Sequence, residues 1–433
     1  MKKIEKVKYF WKIGCKIPII EQHSKVKHMV IGEYIKKYIL TVMSNAAIPA
    51  IQLSLIDAFS GGGCYQDEEG VIVDGSPVII MKSVAEARAL LNINRRSPRI
   101  INVDYYFNDI SEDTKKHLEW HLNCLKDDGK IKIEESEHVK FLSRRFSEIT
   151  RDIVDRIKDK KMGERAIFVL DQYAYKDVPI TDIAYLLKSL RGCEIILTFN
   201  VGSLITYLSE CEANKSAMKN IGLDKYIPWA EVKQLKIDEK HRWKEIIQRY
   251  LANGIKLETG SRYMTLFFVS PDLSSPWEYW LVHLTNQYRA HEVMKQIHWA
   301  HSTEFTHELD PGVFVLGYDT KQDVMYNGQE AFDFSEKSKR SCIENIHISF
   351  GRHVFDGDKP VRIGDIYGDF IGNTPAAEYH LNAAVRSLHS YKDVVIRSSD
   401  GRVKRPSRKY HHNDIIEPSR QYSLFRFTKK SDQ

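Results

Sequence analysis

Short apolar runs rich in β-branched and aromatic residues alternate with helical patterns along most of the chain. The runs cover residues 51–59, 99–109, 130–136, 166–173, 193–200, 263–270 and 279–286. Between several of them, apolar residues recur at helical spacing, over 83–92, 112–124, 146–160 and 180–190. Near-continuous apolar strands joined by helices are typical of an α/β fold with a mostly parallel sheet covered on both faces.

The last two runs are joined only by the short segment PDLSSPWEY. That length suits a hairpin and is too short for a helical crossover, so the last strand is expected to be antiparallel. Seven strands ending in such a hairpin predict the Rossmann-like sheet of S-adenosylmethionine (SAM) methyltransferases. A dinucleotide oxidoreductase sheet would be parallel to its end.

Four segments are expected along the chain. Residues 1–50 form a basic tail and an amphipathic helix, with Lys25, Lys27, Lys36 and Lys37 on or beside its polar face. Residues 51–310 form the Rossmann-like domain, and a polar linker spans 311–342. Residues 343–433 form a smaller α+β domain.

The smaller domain has a helix-then-hairpin pattern. Thr374 is the expected N-cap of a helix with Pro375 at its first position, and the strand VVIRS and an Asp400–Gly401 turn follow. This order predicts a winged-helix-like domain.

A glycine turn follows the first strand, in the sequence LSLIDAFSGGGCYQ. It has no Gly-Lys-Ser/Thr of a P-loop, and Gln66 stands where a dinucleotide fingerprint needs its third glycine. The remaining pattern, an acid and an aromatic beside glycines, suits SAM. The predicted SAM-binding residues are Asp57, Phe59, Gly61, Gly62, Gly63 and Asp109, with Glu112 as the alternative to Asp109. A tight strand-to-helix turn without a ligand is the competing interpretation.

The fourth strand ends in Asp171-Gln172-Tyr173. This position faces the switch point of the sheet, where open α/β sheets bind ligands. We expect Asp171 to accept a hydrogen bond from a target amine and Tyr173 to stack on a flat substrate, which makes both candidate catalytic residues. The alternative is an Asp171 that only caps the following helix.

Together these segments resemble the three-Cys-motif partner (TcmP) family of bacterial methyltransferase-like proteins. The resemblance is carried by His23-Ser24-x-x-Lys27, by the glycine turn through Tyr65, by Gly75-Ser76-Pro77 and by Asp171-Gln172-Tyr173-Ala174. It implies SAM as cofactor, a three-cysteine, radical-SAM-like partner protein and a role in bacterial defence against phage or mobile DNA.

Two departures from the family pattern stand at functional positions. Gly62 replaces a proline in the glycine turn, and Gln172 and Ala174 replace the proline and glycine of the fourth-strand motif. The second departure affects the turn that shapes the acceptor pocket, so it bears on catalysis.

Charge concentrates near the C-terminus. Residues 386–412 hold eight lysines and arginines against two acidic residues, while the whole chain has a net charge of +6. A basic wing of this kind fits binding to the phosphates of DNA or RNA, although a solvated face or a protein-docking wing would have the same composition. The candidate nucleic-acid-binding residues are Arg397, Arg402, Lys404, Arg405, Arg408 and Lys409.

Composition adds limits. Hydrophobic residues make up 42% and charged residues 28% of the chain, which fits a globular protein. The six cysteines include no CxxC pair, and the histidines at 291, 298, 301 and 307 lack a metal-binding pattern, so no metal is expected. With no apolar run long enough to span a membrane, a cytoplasmic location is expected.

Three functions are compared. The first is a SAM-dependent methyltransferase that acts on or with nucleic acid. The second is a catalytically degenerate methyltransferase-like adaptor that binds nucleic acid or a protein through its winged helix. The third, a dinucleotide oxidoreductase, is disfavoured by Gln66 and by the terminal hairpin.

Overall fold

We analysed a computed structural model of the 433-residue chain. The structure describes residues 9–135, 137–160, 163–172, 177–206, 212–238, 243–270, 279–301, 304–310, 313–319, 343–344, 346–347, 354–355, 360–369, 376–407 and 409–419. The chain divides into two compact units, Met1–Asp310 with Val315–Met325 and Pro311–Phe314 with Tyr326–Gln433.

Within the described residues, the first unit is built on a nine-stranded sheet. Its strands are β1 (Ala50–Asp57), β4 (Ile100–Asn108), β5 (Glu137–Leu142), β6 (Arg165–Leu170), β7 (Gly192–Asn200), β8 (Tyr263–Ser270), β9 (Tyr279–Thr285), β10 (Glu304–Asp310) and β11 (Val313–Asp319). A small separate hairpin joins β2 (Cys64–Gln66) to β3 (Ile72–Asp74). The order in the sheet is β10-β11-β8-β9-β7-β6-β1-β4-β5.

The sheet confirms the predicted fold class. Seven neighbouring strands follow the order β8-β9-β7-β6-β1-β4-β5, and β9 runs antiparallel to both β7 and β8. The pairs of β1 with β4 and β6, of β4 with β5, and of β6 with β7 are parallel. The terminal hairpin predicted from its short connection is therefore present, and the sheet is mixed at the end where an oxidoreductase sheet would stay parallel.

Three of the elements predicted from the sequence differ from the structure. The third strand lies at β5 and not at 130–136, because Glu137 is buried by pairing with Arg88 and Tyr105, whereas the stretch before it is irregular. The sheet also has two more strands than predicted: β10 and β11 extend its edge, with β11 parallel to β8. The helix expected to begin after Thr374 begins at Glu378, with Ala377 as its N-cap, and Thr374 and Pro375 lie outside the described residues.

Helices cover both faces of the sheet. In the first unit they are α1 (Gln22–Val42), α2 (Ser76–Asn92), α3 (Glu112–Asp127), α4 (Phe146–Lys158), α5 (Ile180–Ser189), α6 (Val201–Thr206), α7 (Glu212–Ile221), α8 (Trp229–Asp238), α9 (Trp243–Thr259) and α10 (Tyr288–His301). A 3₁₀ turn, Asp224–Tyr226, lies between α7 and α8.

The main core lies between the sheet and α4, α5 and α9. Apolar side chains of β6, β7 and β9, such as Phe168 and Leu197, pack there against apolar side chains of these helices, such as Ile255 of α9. Burying such side chains stabilises the fold by roughly 1.5–3 kcal/mol for each large residue. This core fixes the strand ends that carry the candidate site.

Helix α1 packs on α2 and α10 and is held to the sheet by a buried polar cluster. The hydroxyl of Tyr34 donates to Glu194 on β7 at 3.1 Å, and His283 on β9 lies 3.1 Å from the same carboxyl oxygen. All three side chains are buried. Burial raises the pKa of Glu194 well above its usual value and lowers the pKa of His283 to about 3.

The lysine pattern of α1 was misassigned at one position. Lys36 is partly exposed and pairs with the exposed Glu86, as a polar face predicts. Lys27 is instead buried, at 5% exposure, because its ammonium pairs with Asp171. A charged residue buried with its partner is compatible with an otherwise apolar face.

The second unit contains three short strands and two helices in its described part. These are β12 (Val361–Arg362), α11 (Ile363–Asp369), α12 (Glu378–Ser390), β13 (Val394–Arg397) and β14 (Ile415–Pro418). The strands pair antiparallel in the order β12-β14-β13. Asn382 on α12 joins the hydroxyl of Tyr367 to the backbone N–H of Tyr410, which ties the basic segment to the helix.

Between β13 and β14, the basic segment was expected to return as a strand. Its described residues form one isolated bridge, between Arg397 and Val403, across a tight turn in which Gly401 has a φ of +82°. The partner of β13 is β14, further along the chain. No helix in the described part of the chain is both long and apolar enough to cross a membrane.

Candidate functional site

The glycine turn lies at the carboxyl end of β1. Gly61 and Gly63 have φ values of +57° and +84°, a backbone region that glycine adopts without strain. The turn is tied to the end of β4, since the N–H of Ser60 donates to the carbonyl of Asn108 at 2.9 Å. The loop is therefore a fixed main-chain cradle between two neighbouring strands.

Asp57 closes β1 and is fully buried. One carboxyl oxygen accepts from the N–H of Phe59 at 3.3 Å, and the other, Oδ2, has no hydrogen-bond partner among the described residues. Burial raises the pKa of Asp57 to about 7, against the opposing effect of a hydrogen bond from Ser76. A buried carboxyl oxygen without a partner is costly, so this atom is a candidate ligand contact.

Asp109 lies directly after β4 and is directed to the glycine turn. Its carboxylate accepts from the N–H of Ser111 at 2.8 Å and from the N–H of Gly61. Burial raises the pKa of Asp109, and these two hydrogen bonds oppose the shift. A carboxylate has about four acceptor positions, so two remain for a ligand. Glu112, the alternative, is on the surface at the start of α3 and pairs with Lys115.

The glycine turn is covered on its outer side by Trp11. The indole N–H donates to the carbonyl of Cys64 at 2.7 Å, and the ring lies on Gly61 and Gly62. A Cβ atom added to Gly62 would lie 2.2 Å from Trp11 Cγ. Gly62 is thus required by the packing of a side chain of the protein itself, and a ligand approaching Gly62 from this side would have to displace the indole.

Helix α3 packs on the other side of the turn. The Nδ1–H of His117 donates to the carbonyl of Gly62 at 2.8 Å, a tautomer assigned from this contact. A Cβ atom on Gly63 would lie 2.6 Å from Leu118 Cδ1. Phe59 is partly buried and packs on Phe146 of α4, with ring centroids 6.4 Å apart. The turn is therefore enclosed between the N-terminal segment and α3.

Asp171 follows β6 and forms a bidentate pair with Lys27. The two carboxylate oxygens lie 2.7 and 2.9 Å from the ammonium nitrogen. Burial alone would raise the pKa of Asp171, but the ammonium and its hydrogen bonds outweigh that effect and lower it. The ring of Tyr279, with its centroid 5.6 Å from the ammonium, lies on another side of Lys27. His23 stacks on Tyr279 and so joins α1 to β9.

Gln172 has a structural role in the fourth-strand motif. Its buried amide donates to the carbonyl of Thr198 and accepts from the N–H of Val178 at 3.1 Å. It therefore holds the connection to α5, a task for which proline lacks the donor and acceptor groups. Tyr173 and Ala174 lie outside the described residues.

The three carboxylates lie near one another at this edge of the sheet. The charges of Asp171 and Asp109 both raise the pKa of Asp57, and all three raise the pKa of Tyr65, for which burial is the largest cause. Tyr65 lies under Trp11 with an edge contact of 5.2 Å between ring centroids. The chain thus places three acidic groups at the ends of three neighbouring strands, and Trp11 and Tyr65 pack beside the glycine turn.

Sequence reasoning missed the role of two residues. Lys27 stands in the motif His23-Ser24-x-x-Lys27, one of those on which the resemblance to the TcmP family is based, and its position there was the available signal. Trp11 belongs to the aromatic triplet Tyr9-Phe10-Trp11 in an otherwise basic segment. Such a triplet indicates packing against the protein, although nothing in the sequence specifies the partner.

A cleft lies elsewhere, beside α1 and α2. It measures about 480 Å³ and is lined by α1, α2 and β3, with Met29, Gly32 and Ile79 among its apolar residues. None of the three carboxylates lines it. In the described residues, no group of three or more His, Cys, Asp or Glu side chains is placed to hold a metal ion.

The candidate nucleic-acid-binding residues of the second unit differ in whether they form ion pairs. Three of them are paired: Arg397 with Glu417 at 2.7 Å, Arg402 with Asp400 at 3.4 Å and Lys404 with Asp414 at 2.6 Å. Arg405 and Lys409 are exposed and form no ion pair with other described residues. Arg408 lies outside the described residues.

The chain matches no family model and no curated protein. Solved structures similar to it include a Legionella pneumophila protein of the DUF519 family, at 10% identity and a TM-score of 0.32, covering 60% of this chain and 85% of that one. A cyclopropane-fatty-acyl-phospholipid synthase-like protein from Lactobacillus casei has 9% identity, a TM-score of 0.23 and coverages of 61% and 100%. Loganic acid methyltransferase bound to S-adenosylhomocysteine has 10% identity, a TM-score of 0.21 and coverages of 56% and 73%. Scores this low carry no argument, so the fold assignment depends on the strand order of this chain.

Proposed function

We propose that the protein binds SAM at the glycine turn and is a SAM-dependent methyltransferase. The observation that carries the proposal is the placement of three carboxylates at the ends of three neighbouring strands: Asp57 ends β1, Asp109 follows β4 and accepts from the N–H of Gly61, and Asp171 follows β6. The turn lies at the carboxyl ends of the strands, where open α/β sheets bind ligands. The strand order, with its antiparallel last strand, supports a methyltransferase over an oxidoreductase.

Each carboxylate has chemistry that suits one part of SAM or of its acceptor. The unpartnered oxygen of Asp57 is placed to accept from a cationic amino group, and ligand binding would satisfy it. Asp109 has acceptor positions left for ribose hydroxyls. Asp171 is the acceptor-side group, because it already binds an ammonium. When bound, SAM supplies an activated methyl group, so the protein needs chiefly to align donor and acceptor.

Nucleic acid is the proposed macromolecule with which the enzyme acts. The second unit supports this idea through its element order, β12-α11-α12-β13-β14, and its strand order, β12-β14-β13, which suit a winged helix. Its wing would present Arg405 and Lys409 to phosphates. The TcmP-type partner protein and the defence role rest on the sequence resemblance alone.

Titration calorimetry with the purified full chain tests the cofactor. Saturable binding of SAM and of S-adenosylhomocysteine, with no binding of NAD, is expected. Asp57→Asn should weaken SAM binding by at least about tenfold, or roughly 1.4 kcal/mol. Absence of SAM binding by wild-type protein that is folded by circular dichroism would refute the proposal.

A second experiment addresses turnover. Protein incubated with SAM that carries a labelled methyl group, and with DNA or RNA, should transfer label to the nucleic acid. Asp171→Asn should keep SAM binding within about threefold, or roughly 0.7 kcal/mol, and lose transfer. Retained transfer in this variant would remove Asp171 from the acceptor site.

One observation favours the adaptor as a second candidate. Trp11 lies on the glycine turn and Lys27 holds Asp171, so side chains of the N-terminal segment occupy both halves of the site. An adaptor would bind nucleic acid through Arg405 and Lys409 and would bind no SAM. Calorimetry with SAM and a nucleic-acid binding assay on the same preparation separate the two functions.

A further inference from the structure

The side chain of Lys27 is bound as an amine acceptor would be. Its ammonium nitrogen lies within 2.9 Å of both oxygens of Asp171, and the ring centroid of Tyr279 is 5.6 Å away. A carboxylate together with an aromatic ring is a common environment for an alkylammonium group, because it combines charge-assisted hydrogen bonds with a cation–π contact. The lysine chain is largely shielded from water, at 6% side-chain exposure.

The pair of Lys27 and Asp171 lies at a strand end beside the proposed SAM site. Asp171 ends β6, the neighbour of β1, and β1 carries the glycine turn. The register of the two strands pairs Asp57 with Val169, two residues before Asp171. The ammonium of Lys27 is therefore held at the strand end next to the proposed methyl donor, by the residue proposed to hold the acceptor.

Other lysines of α1 have different surroundings. Lys36 and Lys37 form partly exposed pairs with Glu86 and Glu33 on the surface. Lys25 stands two positions before Lys27 and lines the cleft beside α2. They provide matched comparisons on one helix, with the same side-chain chemistry and no contact with Asp171.

We propose that Lys27 is an intramolecular methyl acceptor, a modification site at which the protein methylates its own ε-amine. This inference rests on the proposed SAM-dependent function. In the reaction, the ammonium first loses a proton to water, while the carboxylate of Asp171, whose pKa is lowered, stays ionised and holds the nitrogen in place. The amine lone pair then forms a bond with the methyl carbon of SAM while the bond between that carbon and sulfur breaks, and neutral S-adenosylhomocysteine leaves.

Methylation would alter the contact that closes the site. Each added methyl group replaces one N–H donor of Lys27, and the product nitrogen carries the positive charge, so the cation–π contact with Tyr279 persists while hydrogen bonding to Asp171 weakens. A trimethylated Lys27 has no donor left for Asp171. The acceptor side of the site would then be easier to open.

Incubation of the full chain with SAM that bears a CD₃ group, followed by proteolysis and tandem mass spectrometry, tests this proposal. A mass gain of one to three CD₃ groups on Lys27, with none on Lys25 or Lys36, is expected. Lys27→Arg should lose the label while calorimetry still detects SAM binding, and Lys25→Arg should be labelled like wild type.

The possible failures differ in what they overturn. If SAM binds and label appears only on an added nucleic acid or on other lysines, Lys27 is not an acceptor, while the methyltransferase function stands. If SAM binds and no label appears on Lys27 under any condition, the proposal also fails. If SAM does not bind, the proposed function fails and the self-methylation with it.

Discussion

The ammonium of Lys27 and the carboxylate of Asp171 meet at 2.7 Å across 144 positions of sequence. Helix α1 is thereby joined to the end of β6, and the pair is shielded from water on most sides. The carboxylate that is proposed to bind the methyl acceptor is therefore already bound to a lysine of the protein itself. It also makes a testable contribution to stability.

Lys27→Met should destabilise the protein by about 3–5 kcal/mol, since it leaves the largely shielded carboxylate of Asp171 without its cation. Lys36→Met removes a partly exposed pair on the same helix and should cost less than about 1 kcal/mol. Denaturant unfolding of the three full-length proteins measures both losses. The double variant Lys27→Met with Asp171→Asn should recover part of the loss, and equal losses for Lys27→Met and Lys36→Met would contradict the buried pair.

A second prediction concerns the packing of Trp11 on the glycine turn. Gly62 does not have a positive φ, so alanine there is prevented only by the indole, at 2.2 Å from the added Cβ. Gly62→Ala should cost about 1–3 kcal/mol through overpacking. In a Trp11→Ala background the same substitution should cost much less.

Gly63→Ala provides the control for this cycle. Gly63 has a φ of +84°, so alanine is strained there whatever Trp11 does. Trp11→Ala should therefore not rescue it. The measurement is the free energy of unfolding of the single and double variants. If Trp11→Ala reduced the cost of both glycine substitutions, or of neither, the indole would not be what excludes a side chain at Gly62.

The sequence predicted features that depend on short stretches of chain. The terminal hairpin followed from the short connection between β8 and β9, and the glycine turn followed from residues 57–63. Features that depend on distant partners were missed. Lys27 was placed on or beside the polar face of the helix, because helical spacing cannot show that Asp171 neutralises it. The third strand was predicted too early in the chain, because the burial of Glu137 depends on its distant partner Arg88.

A third prediction follows from the pKa of Asp57. Burial raises the pKa of this carboxyl to about 7 in the folded protein, against 3.8 as the ordinary value. Between these two values the folded state binds more protons at Asp57 than the unfolded state, so this group makes stability fall as pH rises from about 4 to 7. The full effect, at 1.36 kcal/mol for each pKa unit, is about 4 kcal/mol.

Asp57→Asn should remove that component of the pH dependence. The free energy of unfolding of the variant minus that of wild type should rise steadily from pH 4 to pH 7 and stay constant above pH 7. Unfolding curves at several pH values for both proteins provide the measurement. A difference that stays constant across this range would mean that Asp57 titrates at its ordinary pKa.

The polar cluster under α1 gives a fourth prediction. Burial raises the pKa of Glu194 well above its usual value, so the fold favours the neutral carboxyl over the carboxylate. Glu194→Gln keeps its size and hydrogen-bonding groups and should cost about 1 kcal/mol or less. Glu194→Ala should cost about 2–4 kcal/mol, because it leaves a cavity and removes the partner of Tyr34 and His283. Thermal unfolding at pH 7 distinguishes the two, and a loss with glutamine as large as that with alanine would indicate an ionised Glu194.

The fifth prediction separates binding from folding in the basic segment between β13 and β14. Arg405 and Lys409 are exposed, whereas Lys404 pairs with Asp414, which is only 2% exposed. Arg405→Ala and Lys409→Ala should each reduce the salt dependence of binding to double-stranded DNA by about 0.9 in log–log slope if each contacts one phosphate. Neither should change the unfolding curve.

Lys404→Ala should instead lower the stability of the protein, because it leaves Asp414 buried without its cation. Fluorescence anisotropy at several salt concentrations, with unfolding curves on the same samples, measures both effects. Unchanged DNA affinity in the double variant Arg405→Ala with Lys409→Ala would remove the wing as the nucleic-acid contact and favour a wing that docks on a protein.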